Sequence, residues 1–345
     1  MDTLSSVAIV ILNWNGFDDT VECLESLRDT DYGNYQIVLV DNASDNDEGA
    51  RLGSMFPEVH LIQNRKNKGF AGGNNDGMNW ALEKGFDYVV NLNNDTIAEK
   101  GWLKHLMRGM QTSGADFASP RIMNYPEEAT IFSDGDFILP DGSGVALNRY
   151  SEYDGDTHIK LIFSACGAAS VYSRKCLEEV KVEREQYFDE LYFAFYEDID
   201  MGIRLNARGF KGVCVPKAVI YHKHSRTAGR HSGLKLFHSE KNRMLNELLN
   251  YPAILVVLGE LFFLVKLLVK TVALVVRSSA PGRSREGGYV ENLGFTRTIT
   301  EFVRARMWIL GHFGRIMEKR RKRREKGFIV YSILKKFYWN IFRIA

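Results

Sequence analysis

Between Tyr88 and Leu106 the chain reads YVVNLNNDTIAEKGWLKHL, an apolar run that stops at Asn93, Asn94 and Asp95 before a helical pattern. Two readings compete for the polar triplet. In one it is turn and capping chemistry, because Asn and Asp hydrogen-bond their own backbone and Asp-Thr before Ala-Glu-Lys reads as a helix start. In the other it is the carboxyl end of a buried parallel strand, where open α/β sheets bind ligands, and Asp95 would serve a metal and a diphosphate. The flanking segments decide.

Upstream, "VAIVIL" from Val7, "QIVLV" from Gln36 and "VHLIQN" from Val59 are separated by helical patterns near Asp18 to Arg28, Asp47 to Phe56 and Gly73 to Lys84. Continuous apolar runs alternating with helices are what a parallel sheet covered on both faces requires. Residues 1–120 therefore read as one half of a Rossmann-like α/β domain expected to run to residue 250. In the other half, residues 121–250, Pro120 to about Ser164 is rich in Gly, Asp, Tyr and Ser and reads as hairpins and loops, "TIFSDGDFIL" among them. "SACGAASVYS" returns to a strand pattern, "EDIDMGIRLNARG" reads as a helix closed by Gly209, and "GVCVPKAVIYH" as another strand. A helix around Leu234 to Leu249 follows.

Residues 251–345 differ in character. "AILVVLGELFFLVKLLVKTVALVV" has the length of a membrane span, for which about 20 apolar residues suffice, but carries Glu260, Lys266 and Lys270. Each of these costs roughly 2.5 to 3.5 kcal/mol near a helix centre against about 0.3 to 0.6 returned per Leu, Ile, Val or Phe, so insertion comes out near neutral. An interfacial or re-entrant helix is the expectation. From Arg277 onward 17 Lys and Arg face 5 Asp and Glu, a formal +12, while the residues before it carry 28 against 38. Beside an apolar helix, and without an aromatic-rich nucleic-acid motif, such a basic segment points to an anionic membrane surface rather than nucleic acid. Cys23, Cys166, Cys176 and Cys214 form neither a C-x-x-C pair nor a disulfide framework, and nothing like a signal peptide precedes Val7, which fits a reducing cytoplasm.

Several polar groups fall at strand ends or helix starts. Asn13 and Asn15 in "LNWNG" follow the first strand, and Asp41 and Asn42 in "VDNASDN" follow the second. "NKGFAGGNNDG" reads as a glycine-rich turn, with Gly69, Gly72 and Asn74, whose N–H groups would meet phosphate ahead of a helix. Glu197, Asp198 and Asp200 open the helix in "FYEDIDMGIR", where the helix dipole favours the ionised form.

In this order, over roughly residues 5–252, the motifs resemble glycosyltransferase family 2, inverting enzymes of the GT-A fold, and especially its rhamnosyltransferase-like members with a GFAGGNN loop. The resemblance implies a mixed α/β sheet with helices on both faces, and the hydropathy and charge of residues 251–345 add a C-terminal helical membrane-associating region. It casts Asn93-Asn94-Asp95 as the Asp-x-Asp motif, with Asp95 as ligand to Mn²⁺ or Mg²⁺ and the first Asp replaced by Asn93, left with a hydrogen-bonding role. It assigns Asp41 to the nucleotide base, Asn13 to the nucleoside pocket and Asp198 to the general base, with Glu197 and Asp200 orienting the acceptor or the base. His222 would complete the metal site, with His224 as fallback, and Arg243 in "HSEKNRML" would pair with a phosphate.

The expected activity is transfer from a nucleotide diphosphate sugar, dTDP-rhamnose or a UDP-sugar, to a lipid-linked or polysaccharide acceptor of the cell envelope. The expected location is the cytoplasmic face of the membrane, peripheral or monotopic. A sugar nucleotidyltransferase is the enzymatic alternative, but "LNWNG" lacks the Lys-rich nucleotide signature it would carry. A non-catalytic membrane adaptor is the other alternative; Asp95, Asp198 and His222 together speak against it.

Overall fold

A computed structural model describes residues 4–126, 129–153, 155–223, 232–277 and 289–327. The first elements alternate as expected: β1 (Val7–Asn13), α1 (Phe17–Leu27), β2 (Tyr35–Asp41), α2 (Glu48–Met55), β3 (His60–Gln63), α3 (Gly69–Glu83) and β4 (Tyr88–Asn93). Next come β5 (Thr96–Ala98), α4 (Trp102–Ser113), β6 (Phe117–Asn124), β7 (Ile131–Ser133), β8 (Asp136–Ile138), β9 (Gly144–Ala146) and β10 (Lys160–Leu161). Then β11 (Ala169–Ser173), α5 (Arg174–Val180), α6 (Glu197–Ala207) and β12 (Gly212–His222) lead into helices: α7 (Gly233–Asn250), α8 (Ala253–Arg277), α9 (Tyr289–Leu293), α10 (Phe295–Gly311) and α11 (Phe313–Glu325).

Among the described residues a ten-stranded mixed sheet runs β10-β12-β6-β11-β4-β1-β2-β3, with β5 on β12 and β7 on β6. The apolar runs of β1 and β2 are continuous because both faces are covered. Val7, Ile9 and Ile11 pack with Cys23, Leu24, Leu52 and Trp102 on one side. Ala8 and Val10 pack with Met78, Ala81 and Leu205 on the other, as the two-residue period of a strand dictates. β1 pairs in parallel with both β2 and β4. The chain moves outward from β1 to β3 and returns on the opposite side of β1 as β4, which places a topological switch between their carboxyl ends.

Two expectations are corrected here. The residues after Asp95 form no helix start: Thr96 and Ile97 belong to β5, antiparallel to β12 with Thr96 opposite His222, and the helix waits until Trp102. β-branched residues at 96 and 97 suit the strand, and an edge of β12 is there to receive it. The glycine-rich stretch is not a turn ahead of a helix but the first turns of α3 itself. Its glycines let the helix lie close on the sheet, since a Cβ on Gly73 would meet Leu12 Cδ1, and one on Gly77 Val10 Cγ1, each at 2.3 Å.

The chain divides into two compact units, residues 1–137 with 145–227, and residues 138–144 with 228–345. The first holds the sheet. The second begins before α7, earlier than the expected domain end at 250, and includes the tip of the hairpin formed by β8 and β9.

Within the second unit α8 is built inside out. Glu260 pairs with Arg243 at 2.8 Å, and Lys266 pairs with Asp141 and donates to Ser143. Ile254, Val257, Leu261, Val265, Leu268 and Val272, spaced as one helical face, are each more than half exposed. Among the described residues no helix is long and apolar enough to cross a membrane. The basic run from Lys319 to Arg324 lies in α11, and it is only partly a solvated face: Lys319 and Arg323 are buried, and Arg323 Nη1 donates to Asn250 Oδ1 at 2.7 Å.

Candidate active site

The carboxyl ends of β1 and β2 carry a closed polar network. Asn13 is fully buried; its Nδ2 donates to Asp41 Oδ1, Ser44 Oγ and Glu48 Oε2, each at 3.1 Å, and its Oδ1 accepts from Thr20 Oγ1 at 2.9 Å. Asn13 thus organises Asp41 with every polar atom of its amide engaged. Asn15, in a left-handed conformation, exchanges hydrogen bonds with Asp45. Asn42 ties down the next loop, donating to Asn67 Oδ1 and Gly69 O and accepting from Asn64 Nδ2 and Lys68 N. Thr20, Ser44 and Glu48 were not singled out in the sequence, where only the acidic start of α2 hints at Glu48.

At the end of β4, Asp95 Oδ1 and His222 Nε2 lie 3.1 Å apart, both side chains buried. The pairing follows from register, because β5 laid against β12 brings His222 opposite the residue after Asp95. Asn94 turns the other way and donates to Thr20 Oγ1 at 2.8 Å, tying this turn to the end of β1. His224 lies outside the described residues.

The acidic start of α6 is the third component. Asp198 is half-buried, and its carboxylate accepts from Ile199 N at 2.8 Å and Gly167 N at 2.9 Å. Glu197 is buried beside it. The preceding loop is strained: Phe193, Phe195 and Tyr196 all have positive φ, which for aromatic residues costs of order 1–3 kcal/mol each and concentrates at functional sites. Gly69 braces this loop. Its φ is +72°, and a Cβ there would stand 2.4 Å from Phe193 O, the atom that accepts from Ala71 N at 3.0 Å. The first-turn amide of Ala71 is therefore spent within the protein, and a Cβ on Gly72 would stand 2.7 Å from Lys68 Cβ. Asn74 likewise bonds back to Phe70 O.

Gly167 and Ala168 join the two ends of the site. Ala168 O accepts from Asn93 N at 2.9 Å, and the adjacent Gly167 N holds Asp198. One dipeptide thus links the Asp95 turn to the carboxylate on α6.

Two expected site residues are turned elsewhere. Asp200 is fully buried, paired with Arg204 at 3.0 Å and accepting from Tyr192 OH, while Arg204 also bonds Val180 O and Tyr187 O. A buried cation needs such complete partnering, and Asp200 supplies it instead of orienting an acceptor. Arg243 sits in the second unit with its guanidinium engaged by Glu247 at 3.0 Å, Glu260 at 2.8 Å and Asp141 O at 3.1 Å. Its fork is filled by carboxylates, which leaves the expected phosphate without a place. Burial pushes Glu247 in this cluster up to about 9.

A mixed sheet with polar loops gathered at the strand ends of a topological switch defines an α/β protein that binds its ligand there. The chain belongs to glycosyl transferase family 2, whose model matches residues 6–181. It is 25% identical over 248 residues to the low-salt glycan biosynthesis hexosyltransferase Agl10 of Haloferax volcanii, covering 70% of this chain and 75% of that one. It is 24% identical over 243 residues to the amylovoran biosynthesis glycosyltransferase AmsB of Erwinia amylovora, covering 66% and 73%. Among solved structures, GalNAc-T7 with UDP, GalNAc and Mn²⁺ superposes with a TM-score of 0.58 at 14% identity, over 73% of this chain and 49% of that one, a likeness of fold.

Proposed function

We propose that the chain transfers a sugar, with inversion, from a nucleotide diphosphate sugar to a hydroxyl of a saccharide acceptor in cell-envelope glycan synthesis. The observation that carries this reading is the linkage of the Asp95–His222 pair to the Asp198 carboxylate through Gly167 and Ala168. Inversion requires the acceptor to attack opposite the leaving diphosphate, so the donor site and the base must be held on facing sides of one centre. Asp198 takes the acceptor proton, a contribution of about 10² to 10⁴ in rate. In this reading the network around Asp41 and Asn13 holds the nucleoside, and Glu197, buried beside Asp198, orients the acceptor. The UDP and Mn²⁺ named for GalNAc-T7, and the glycan products named for Agl10 and AmsB, support this donor class and product class.

A divalent ion fits Asp95 and His222. Asp95 and His222 would hold it with a carboxylate and an imidazole 3.1 Å apart, and carboxylate and phosphate oxygens suit hard divalent cations. When bound, the ion neutralises charge on the departing diphosphate. We extend the reading to dTDP-rhamnose or a UDP-sugar as donor. The direct test is hydrolysis of dTDP-rhamnose and of a panel of UDP-sugars with Mn²⁺ or Mg²⁺. Release of UDP or dTDP is expected with at least one, and a chain inert towards all of them, yet forming a nucleotide sugar from a sugar phosphate and a nucleoside triphosphate, would be a nucleotidyltransferase.

We extend the reading to a lipid-linked acceptor at the cytoplasmic membrane face, and the way α8 turns its apolar residues outward supports it. The outward apolar face of α8 is the kind of patch that marks a membrane or partner surface, α10 also exposes Phe295, Val303 and Leu310, and the basic α11 belongs to the same unit. Leu261→Glu with Leu268→Glu is expected to weaken binding to phosphatidylglycerol vesicles at least about tenfold, because each leucine returns roughly 1.5–3 kcal/mol on burial. Sedimentation reads it, and equal pelleting of parent and variant would remove the membrane from this account.

A further inference from the structure

Helix α1 lies along the polar turn after β4, and its Thr20 stands between two parts of the site. Thr20 is fully buried, in the first turn of the helix. Its Oγ1 donates to Asn13 Oδ1 at 2.9 Å and to Gly16 O at 2.8 Å, and it accepts from Asn94 Nδ2 at 2.8 Å. Gly16 makes room for that last bond, since a Cβ there would stand 2.5 Å from Asn94 Nδ2. Further along α1, Ser26 Oγ accepts from Ala98 N at 3.1 Å, so the same helix also holds the strand that follows Asp95.

The direction of these bonds is fixed by their far end. Asn13 Nδ2 faces the carboxylates of Asp41 and Glu48, which only accept, so the other end of its amide, Oδ1, must receive the Thr20 proton. The Thr20 oxygen then presents its lone pairs to the Asn94 amide. One unbroken chain results, from the Asn94 N–H through the Thr20 hydroxyl and the Asn13 amide to Asp41, and each bond in such a chain polarises the next. We propose that Thr20 couples the nucleoside pocket to the metal turn, so that a nucleoside at Asp41 and a divalent ion at Asp95 favour each other even with no phosphate to join them. This rests on the assignment of Asp41 and Asn13 to the nucleoside and of Asp95 and His222 to the ion. Thr20 is a positioning residue that touches neither ligand.

The coupling comes from shared order. The Asn94-Asp95 turn must hold one arrangement for Asn94 to reach Thr20 and for Asp95 to meet the ion, and Asn13 must hold one arrangement for Asp41 to meet a base. Whichever ligand fixes its end first also fixes the bonds between, and the second ligand finds its end prepared. By linkage, the factor by which the ion tightens the nucleoside equals the factor by which the nucleoside tightens the ion. A single hydroxyl joins the two ends, so that factor should be about two- to tenfold, the worth of one such hydrogen bond.

Uridine and thymidine are the probes, because neither has a phosphate to touch the ion. Calorimetry of each with the full chain in Mg²⁺ and in EDTA should show at least one of them bound about two- to tenfold more tightly in Mg²⁺. Thr20→Val, which keeps the shape and removes the hydroxyl, should bind that nucleoside equally in the two conditions, and Thr20→Ser should restore the margin. Gly16→Ala, whose methyl group displaces Asn94 and leaves the Thr20 to Asn13 bond in place, should lose the margin too, and it decides the matter if Thr20→Val does not fold. A parent chain that binds neither nucleoside, or binds them with no margin, overturns the proposal. So does a Thr20→Val that binds more weakly in both conditions by the same factor, the mark of a merely structural role. Binding of UDP and dTDP, whose diphosphates would reach the ion directly, separates the two readings. Mg²⁺ that tightens these but neither nucleoside leaves the metal site standing and removes the coupling; Mg²⁺ that tightens none of the four removes the metal site and the coupling with it.

Discussion

Asp95→Asn is expected to bind UDP and dTDP about a hundredfold more weakly than the parent chain in Mn²⁺, and to bind them equally with Mn²⁺ or with EDTA. Asparagine is the informative replacement because it keeps a hydrogen bond across the 3.1 Å to His222 while losing the charge that a hard cation needs. Outer-shell losses in metal sites cost about 10- to 100-fold, so loss of a direct ligand belongs at or beyond the upper end. Calorimetry in the two conditions decides it. A variant that still prefers nucleotide in Mn²⁺ by the parent's margin would hand Asp95 back to turn chemistry. His222→Ala should follow Asp95→Asn in direction, since Asp95 immediately precedes β5, whose register on β12 sets His222 beside it.

The second large effect falls on turnover rather than binding. Asp198→Asn should lower the rate of sugar transfer by about 10² or more while donor affinity stays close to that of the parent, the mark of an interaction made only as the bond forms. The amide oxygen still accepts a backbone N–H, so the start of α6 should hold. Asp200→Asn is a useful contrast: it weakens a buried pair with Arg204, and its damage should appear in thermal stability, where breaking such a pair costs about 3–5 kcal/mol. If Asp198→Asn transfers sugar at the parent's rate while Glu197→Gln does not, the base is Glu197.

The Rossmann-like half was readable from the sequence because β1, β2 and β4 are buried on both faces and flanked by helices of strong period. Chain segments whose state depends on a distant partner were not. Thr96 to Ala98 became a strand only because the edge of β12, more than 100 residues later, was there to pair with it. The glycines of α3 read as a turn because glycine disfavours helix locally, and only the sheet beneath shows why the helix needs them. Site residues divided the same way. Asp95, Asp198 and His222 stand at element ends that a linear pattern reveals, and the structure brings Asp95 and His222 together. Asp200 and Arg243 stand in equally suggestive motifs but are consumed by buried partners. Membrane attachment was inferred from hydropathy and charge; α8 shows which way each kind of residue faces.

The Gly167-Ala168 dipeptide has an evolutionary consequence. Its two contacts, to Asn93 N through a carbonyl and to Asp198 through an amide, are made by main-chain atoms, the carbonyl common to every amino acid and the N–H to all but proline. The spacing between the Asp95 turn and the Asp198 carboxylate is therefore set by main-chain contacts, at a dipeptide where a Cβ on Gly167 would stand 3.0 Å from Asp198 Oδ2. A spacing carried by main-chain atoms can survive extensive side-chain change, and this chain is about a quarter identical to relatives named for two different glycans.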